Sequence, residues 1–283
     1  MQAIIRPPSE ANSFILLAML GCSNNTCTFC PSYKKRKFEF RNVNEVLKEF
    51  DNEYHNEERI FIADGDAISI SQKDLVELLK YIKDNYPNVE RVSSYITAKS
   101  ALGKSLDELK QLKELGLELV YLGLESGDDS VLNDVKKNMT TEDMVKAAKR
   151  IKDAGIKLSV TVLLGIGGKE KSKQHAKATA KILNKMQPDY VGALTLMVVP
   201  GTEFCEKVKK GEITELVNYE YLQELYFIIE DLELEYCIFR SNHASNYASI
   251  GGCLPENKEE MLKQLEEILE NKKSLKPEMF RGL

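Results

Sequence analysis

Three cysteines fall within nine residues of this chain, in the stretch Gly21-Cys22-Ser23-Asn24-Asn25-Thr26-Cys27-Thr28-Phe29-Cys30-Pro31. Spaced Cys-x4-Cys-x2-Cys, they cannot all pair with one another as disulfides. Three thiolates on one short loop can hold a metal centre that takes three protein ligands and keeps one position open. An iron–sulfur cubane fits: three irons take one cysteine each, and the fourth binds another molecule. A structural zinc would need a fourth ligand from His55, His175, His243 or a distant cysteine, and no paired knuckle is visible. The third reading, three unrelated buried cysteines, fits so short a window poorly.

The elements that must position this loop alternate regularly. Phe14 to Leu20 reads as a strand leading into it. Val43 to Tyr54 is an amphipathic helix with Val46, Leu47, Phe50 and Tyr54 on one face. Arg59 to Ala63 is a buried strand. Ser71 caps a helix whose stripe is Leu75, Leu78, Leu79 and Ile82, ended by Pro87. Val89 to Ile96 is a strand. Ser105 and Glu108 form a capping-box pattern over Leu109, Leu112 and Leu115, with Gly116 at the C-cap. Leu117 to Leu124 is a strand, and Thr141 opens a helix that stops before Gly155. Ile156 to Leu164 is a strand, Glu170 to Met186 a helix, and Tyr190 to Val199 a strand closed by Pro200-Gly201. Repeated βα units argue for parallel strands, in a doubly wound sheet or a barrel. Beyond Gly201 the rhythm changes: Ile213 to Asp231 predicts one long helix, Leu234 to Phe239 a strand, and Asn257 to Glu270 a helix. No linker sets these apart.

At 283 residues the chain can form two ordinary domains or one α/β barrel. A composition of 43% apolar and 29% charged residues is that of a globular protein. No apolar run approaches the roughly 18 residues of a membrane span, and Met1 to Pro8 does not have the order of a signal segment. The reading is therefore cytoplasmic, where clustered cysteines mean metal or catalysis. The net charge of −5 gives no general pull toward nucleic acid or membrane. The basic run Tyr33-Lys34-Lys35-Arg36-Lys37-Phe38 is a solvated loop or a positive rim beside an anion.

The cysteine loop resembles the cluster-binding loop of the radical S-adenosylmethionine (radical SAM) enzymes, with a core of the Elp3 and coproporphyrinogen-dehydrogenase type. The commonest form there is Cys-x3-Cys-x2-Cys with an aromatic residue before the third cysteine. Phe29 fills that place, and the first gap is one residue longer. The resemblance implies a [4Fe-4S] cluster on Cys22, Cys27 and Cys30, S-adenosylmethionine on the open iron, and reductive cleavage to a 5′-deoxyadenosyl radical. It implies an α/β fold, a partial (β/α)6 TIM-like barrel over residues 13–200; the change of rhythm beyond Gly201 makes 201–283 a C-terminal α/β extension packed on it. It also implies an electron donor such as a flavodoxin or ferredoxin.

Chemistry in such a barrel sits at the C-terminal ends of the strands. Asp64, Gly65 and Asp66, after the second strand, loosely match the family's Gly-Gly-Glu-like motif for the methionine amino group. Thr97 and Tyr95 end the third strand as polar contacts for cofactor or substrate. Glu125, after the fourth, stands where the family binds ribose hydroxyls. Lys137 resembles the basic residue that reaches the methionine carboxylate. Gly165, in Leu164-Gly165-Ile166-Gly167-Gly168, lacks the ending of a phosphate loop and would form an adenine platform with Phe29. Cys205, Cys237 and Cys253 are read as ordinary cysteines. No cobalamin module or tRNA-methylthiolation domain is expected. The polar segment Ser241 to Tyr247 is expected to border a substrate pocket, with His243 and Asn246 contacting a small-molecule substrate. The alternatives are an RNA-modifying radical SAM enzyme and a non-catalytic iron–sulfur or zinc scaffold.

Overall fold

A computed structural model describes residues 5–34, 36–271 and 275–282. The first four residues of the lead-in and Lys35 of the basic run lie outside them. In chain order the elements are β1 (Phe14–Leu16), β2 (Met19–Leu20), β3 (Glu39–Phe40), α1 (Val43–Glu53), β4 (Arg59–Ile62), α2 (Gln72–Asn85), β5 (Arg91–Ile96), α3 (Ala98–Gly103), α4 (Leu106–Glu114) and β6 (Leu117–Glu125). They continue with α5 (Asp129–Asp134), α6 (Thr141–Asp153), β7 (Lys157–Leu164), α7 (Gly168–Met186), β8 (Tyr190–Thr195), α8 (Glu203–Lys209), α9 (Asn218–Glu230), β9 (Cys237–Ser241), β10 (Ile250–Leu254) and α10 (Lys258–Asn271).

The main sheet runs in the order β1-β4-β5-β6-β7-β8-β9-β10. Strands β1, β4, β5 and β6 pair in parallel, as do β7, β8 and β9, while β10 is antiparallel to β9. The six expected βα strands are present, and residues beyond 200 add two more to the same sheet. No described helix is long and apolar enough to cross a membrane.

The chain divides into two compact units. One comprises Met1–Asn25, Ser32–Leu122 and Lys146–Leu158; the other comprises Thr26–Pro31, Gly123–Val145 and Ser159–Leu283. In the first, Ile60, Phe61 and Ile62 of β4 are buried with Phe50 of α1 and Leu75, Leu78, Leu79 and Ile82 of α2. Side chains of Asn42 and Ser71 cap α1 and α2, and the Ser105–Glu108 capping box is formed on α4. Glu10, fully buried, accepts from Arg91 at 2.7 Å and from the Tyr121 hydroxyl, tying the lead-in to β5 and β6. In the second unit, α7 and α9 pack on each other, and α9 packs on α10. Their apolar faces bury Ala176, Ala180, Leu183, Leu225, Ile228 and Leu265.

Three expectations are corrected here. Phe14 to Leu20 is not one strand. Arg41 donates from its side chain to Leu17 O at 2.9 Å and from its amide to Ala18 O at 3.1 Å. These bonds turn the chain after β1, so Met19 and Leu20 pair with β3 instead. Nor is Ile213 to Asp231 one helix. Helix α9 starts only at Asn218, where the Glu220 carboxylate accepts from the Val217 amide at 2.9 Å, and Thr214 O is taken by the Lys169 amide at 2.8 Å. The short helices α3, α5 and α8 and the strand β10 are additions. Strand β8 stops at Thr195 rather than Val199, because the Thr195 amide donates to the Asn246 side chain at 2.9 Å.

Candidate active site

The chemistry-bearing residues of the first unit gather after β4. The Asp64 backbone is left-handed (φ 69°), and its fully buried carboxylate accepts from the Gly21 amide at 2.8 Å. Arg36 Nη1 reaches both of its oxygens at 3.1 Å. The Gly65 amide donates to Gly21 O at 2.8 Å, so the turn after β4 is laced to the residue before Cys22. Only glycine fits at position 65: a Cβ there would lie 2.5 Å from Cys22 Cβ and 2.7 Å from its Sγ. Asp66, 1% exposed, accepts from the Thr97 amide at 3.1 Å, the Thr97 hydroxyl at 3.0 Å, Ser100 Oγ and Ser23 Oγ. Burial raises its pKa, and those four donors oppose the shift. Thr97 also caps α3. Asp64, Gly65, Asp66 and Thr97 thus form one network, but both carboxylates are occupied by the protein itself.

In the second unit, the Thr28 amide donates to Val135 O at 3.0 Å and Thr28 O accepts from the Phe204 amide at 3.0 Å. Asn138 donates to Thr26 Oγ1 at 2.7 Å, and Thr26 Oγ1 donates to Lys136 O at 3.0 Å. The loop around Cys27 and Cys30 is therefore clamped by the segment that follows α5. Phe29 packs on Val131, Val135, Ile166, Leu196 and Phe204. Glu125, left-handed at φ 63°, meets Lys137 Nζ at 2.8 Å with both side chains largely buried. Two residues expected to serve the cofactor are brought together. Gly165 (φ +82°) lies under Tyr221, whose Cε1 would be 2.3 Å from a Cβ there.

The segment between β9 and β10 divides in two. Asn246 is 2% exposed; its amide nitrogen donates to Ala193 O at 2.7 Å and to Ser241 Oγ, and its oxygen takes the Thr195 amide. The side chain is spent on stitching β8 to β9. His243 is half-buried, with Nδ1 2.9 Å from Ser245 Oγ and accepting from the Ser245 amide at 3.2 Å. That leaves the proton of the neutral ring on Nε2, and burial lowers its pKa, with Lys276 adding to the shift. Sequence reading passed over Ser23, Ser100 and Ser172, weighed His175 only as a fourth zinc ligand, and missed Glu224. The last two were detectable as ionisable residues on the apolar faces of α7 and α9.

All six cysteines carry thiols rather than disulfides. Among the described residues no three His, Cys, Asp or Glu side chains close on one metal-ion position. A cubane asks for something different, one thiolate on each of three irons. The donor set and the glycine that seats Cys22 fit such a cluster.

The description "Radical SAM superfamily" matches residues 16–183, more than half of the chain. The chain belongs to that superfamily, whose enzymes carry a [4Fe-4S] cluster and use S-adenosylmethionine. It is similar to the heme chaperone HemW of Bacillus subtilis (strain 168), 24% identical over 236 residues, covering 80% of this chain and 61% of that one. It also resembles a tRNA uridine(34) acetyltransferase of Methanocaldococcus jannaschii, 32% identical over 107 residues, 37% of this chain and 20% of the other. The chain thus spans between a fifth and three fifths of the length of these relatives. Coproporphyrinogen III oxidase (HemN) from Escherichia coli, described as a radical SAM enzyme, superposes with a TM-score of 0.60 at 14% identity, over 79% of this chain and 53% of its own. The fold is the α/β partial barrel of this superfamily.

Proposed function

We propose that this chain is a radical SAM enzyme acting on a small-molecule substrate, with Cys22, Cys27 and Cys30 as ligands of the [4Fe-4S] cluster. When bound, cluster and S-adenosylmethionine supply one-electron cleavage of the sulfonium and, through it, hydrogen abstraction. A flavodoxin or ferredoxin delivers the electron. Residues 13–200 act as the core, and 201–283 as an extension that supports it.

The observation that carries this reading is the Glu125–Lys137 pair, two sequence-distant candidates held 2.8 Å apart at the end of β6. The pair presets a carboxylate for the ribose hydroxyls and an ammonium for the methionine carboxylate, which lowers the entropy cost of binding. Asp64 and Asp66 hold the turn whose Gly65 backbone lies against Cys22 and contacts the methionine end. Phe29 and Gly165 give the adenine an apolar surface, and Thr97 fixes Asp66. His243 orients the substrate through Nε2–H, whereas Asn246 contributes by holding the strand ends.

The test is anaerobic reconstitution followed by reduction with S-adenosylmethionine and a metabolite extract or bulk tRNA. Consumption of a small molecule coupled to 5′-deoxyadenosine is the expected result. Coupling to tRNA alone would favour the RNA-modifying alternative, which the named function of the Methanocaldococcus relative keeps in view.

A further inference from the structure

Behind the ends of β6 and β7 lies a buried acid and base that the proposed chemistry does not use. Glu224, on α9 and fully buried, accepts the Gly165 amide on Oε1 at 2.6 Å and Ser172 Oγ on Oε2. His175, on α7 and also fully buried, has Nδ1 2.8 Å from Ser126 Oγ, which in turn accepts the Asp128 amide at 3.0 Å. Its Nε2 stands 3.5 Å from Glu224 Oε1 and has no hydrogen-bond partner of ordinary geometry among the described residues. A buried acid and base that could each be an apolar residue are costly, unless they hold something in place. What they hold is Gly165 and Ser126, the latter adjoining Glu125.

We propose that Glu224 and His175 are a positioning pair for the nucleoside end of S-adenosylmethionine, and that their protonation state sets how firmly Gly165 and Ser126 are held. This rests on the reading that Glu125 and Gly165 receive ribose and adenine. Burial pushes the Glu224 carboxyl up to about 7 and the His175 imidazole down to about 4. The charged side chain that bears on the pair is Asp128, which favours protonated His175. As pH rises through about 7 Glu224 ionises, and a carboxylate holds the Gly165 amide more strongly than a neutral carboxyl does. Affinity for S-adenosylmethionine then rises with it.

The experiment compares wild type, Glu224→Gln and Glu224→Ala as cluster-loaded, oxidised proteins, with equilibrium binding of S-adenosylmethionine from pH 6 to 8.5. The ratio of variant to wild type cancels the titration of the cofactor's own amino group. Glu224→Gln should bind like wild type at pH 6 and fall several-fold behind by pH 8.5, and Glu224→Ala should bind roughly tenfold more weakly at pH 8.5. Gly165 amide exchange, measured without cofactor, should quicken at least tenfold in Glu224→Ala. A pH-independent ratio for Glu224→Gln, or unchanged exchange at Gly165, overturns the proposal. If Glu224→Ala fails to fold, the Glu224→Gln ratio and Gly165 exchange in Ser172→Ala, expected to quicken less, still decide it. Glu125→Ala separates the two readings: unchanged binding there defeats the nucleoside assignment, while Gly165 exchange still reports on the pair.

Discussion

The turn after β4 and the turn after β6 both place acidic side chains at the end of a parallel strand, but use them in opposite ways. Asp66 receives four hydrogen bonds from three neighbours and is sealed from solvent. Asp64 is taken by a backbone amide and a guanidinium. Glu125 meets one long, flexible ammonium. A carboxylate saturated by short, fixed donors shapes the backbone around it. One paired with a single ammonium keeps acceptor capacity that a ligand's donors can use. On the proposed function, the first turn holds the backbone beside Cys22 in place, and the second offers a carboxylate to the cofactor.

The largest effect is expected at the cysteine loop. Replacing Cys22, Cys27 and Cys30 together with alanine should abolish iron binding and the broad visible absorption, leaving far-UV circular dichroism close to wild type. Next comes Asp66→Ala, which strands donors from Ser23, Thr97 and Ser100. Its cost is on the order of 3 kcal/mol, or roughly 10 °C in Tm. Asp66→Asn should cost less, because the three hydroxyls can rotate to accept. Glu125→Ala adds a binding defect. It deprives the largely buried Lys137 of its carboxylate, which lowers Tm as well. S-adenosylmethionine should bind roughly 10- to 150-fold more weakly for a lost charged hydrogen bond of about 1.5–3 kcal/mol. If Asp66→Ala spared stability, or Glu125→Ala left S-adenosylmethionine binding unchanged, the contrast between the turns would fail.

The smallest effect is in the pH dependence of stability. Glu224 has its folded pKa raised to about 7 from 4.5, so the folded state binds more protons and stability falls as pH rises across that window. His175 has its folded pKa lowered to about 4 from 6.5, so stability is lost as pH falls through that range. The two slopes oppose each other between about 4.5 and 6.5. Glu224→Gln should remove the decline and leave Tm rising up to about pH 6.5, whereas His175→Gln should leave only the decline. Parallel profiles for the two variants would contradict these assignments.

What was legible in the sequence follows from local physics. Periodicity and caps located α1, α2, α4 and their strands to within a few residues, since their signals are short-range. Cysteine spacing pointed to a cluster, because ligand geometry constrains neighbouring positions. The bend between Leu17 and Ala18 depends on Arg41, more than twenty residues away, and left no local mark. Asn246 looked like a pocket residue because its composition is that of a loop; only the distance to Ala193 and Thr195 shows that it stitches strands. The break before α9 was hidden by an unbroken run of helix-compatible residues, which the Glu220–Val217 bond and the Thr214 carbonyl override.

The central claim is reductive cleavage of S-adenosylmethionine at the Cys22–Cys27–Cys30 loop. Its most direct test is chromatographic measurement of 5′-deoxyadenosine from reconstituted, dithionite-reduced protein. Slow release even without substrate, about four irons per chain, and loss of both in the triple cysteine variant are the expected results. Retention of iron and product by that variant, or no 5′-deoxyadenosine from fully loaded wild type, would contradict the claim.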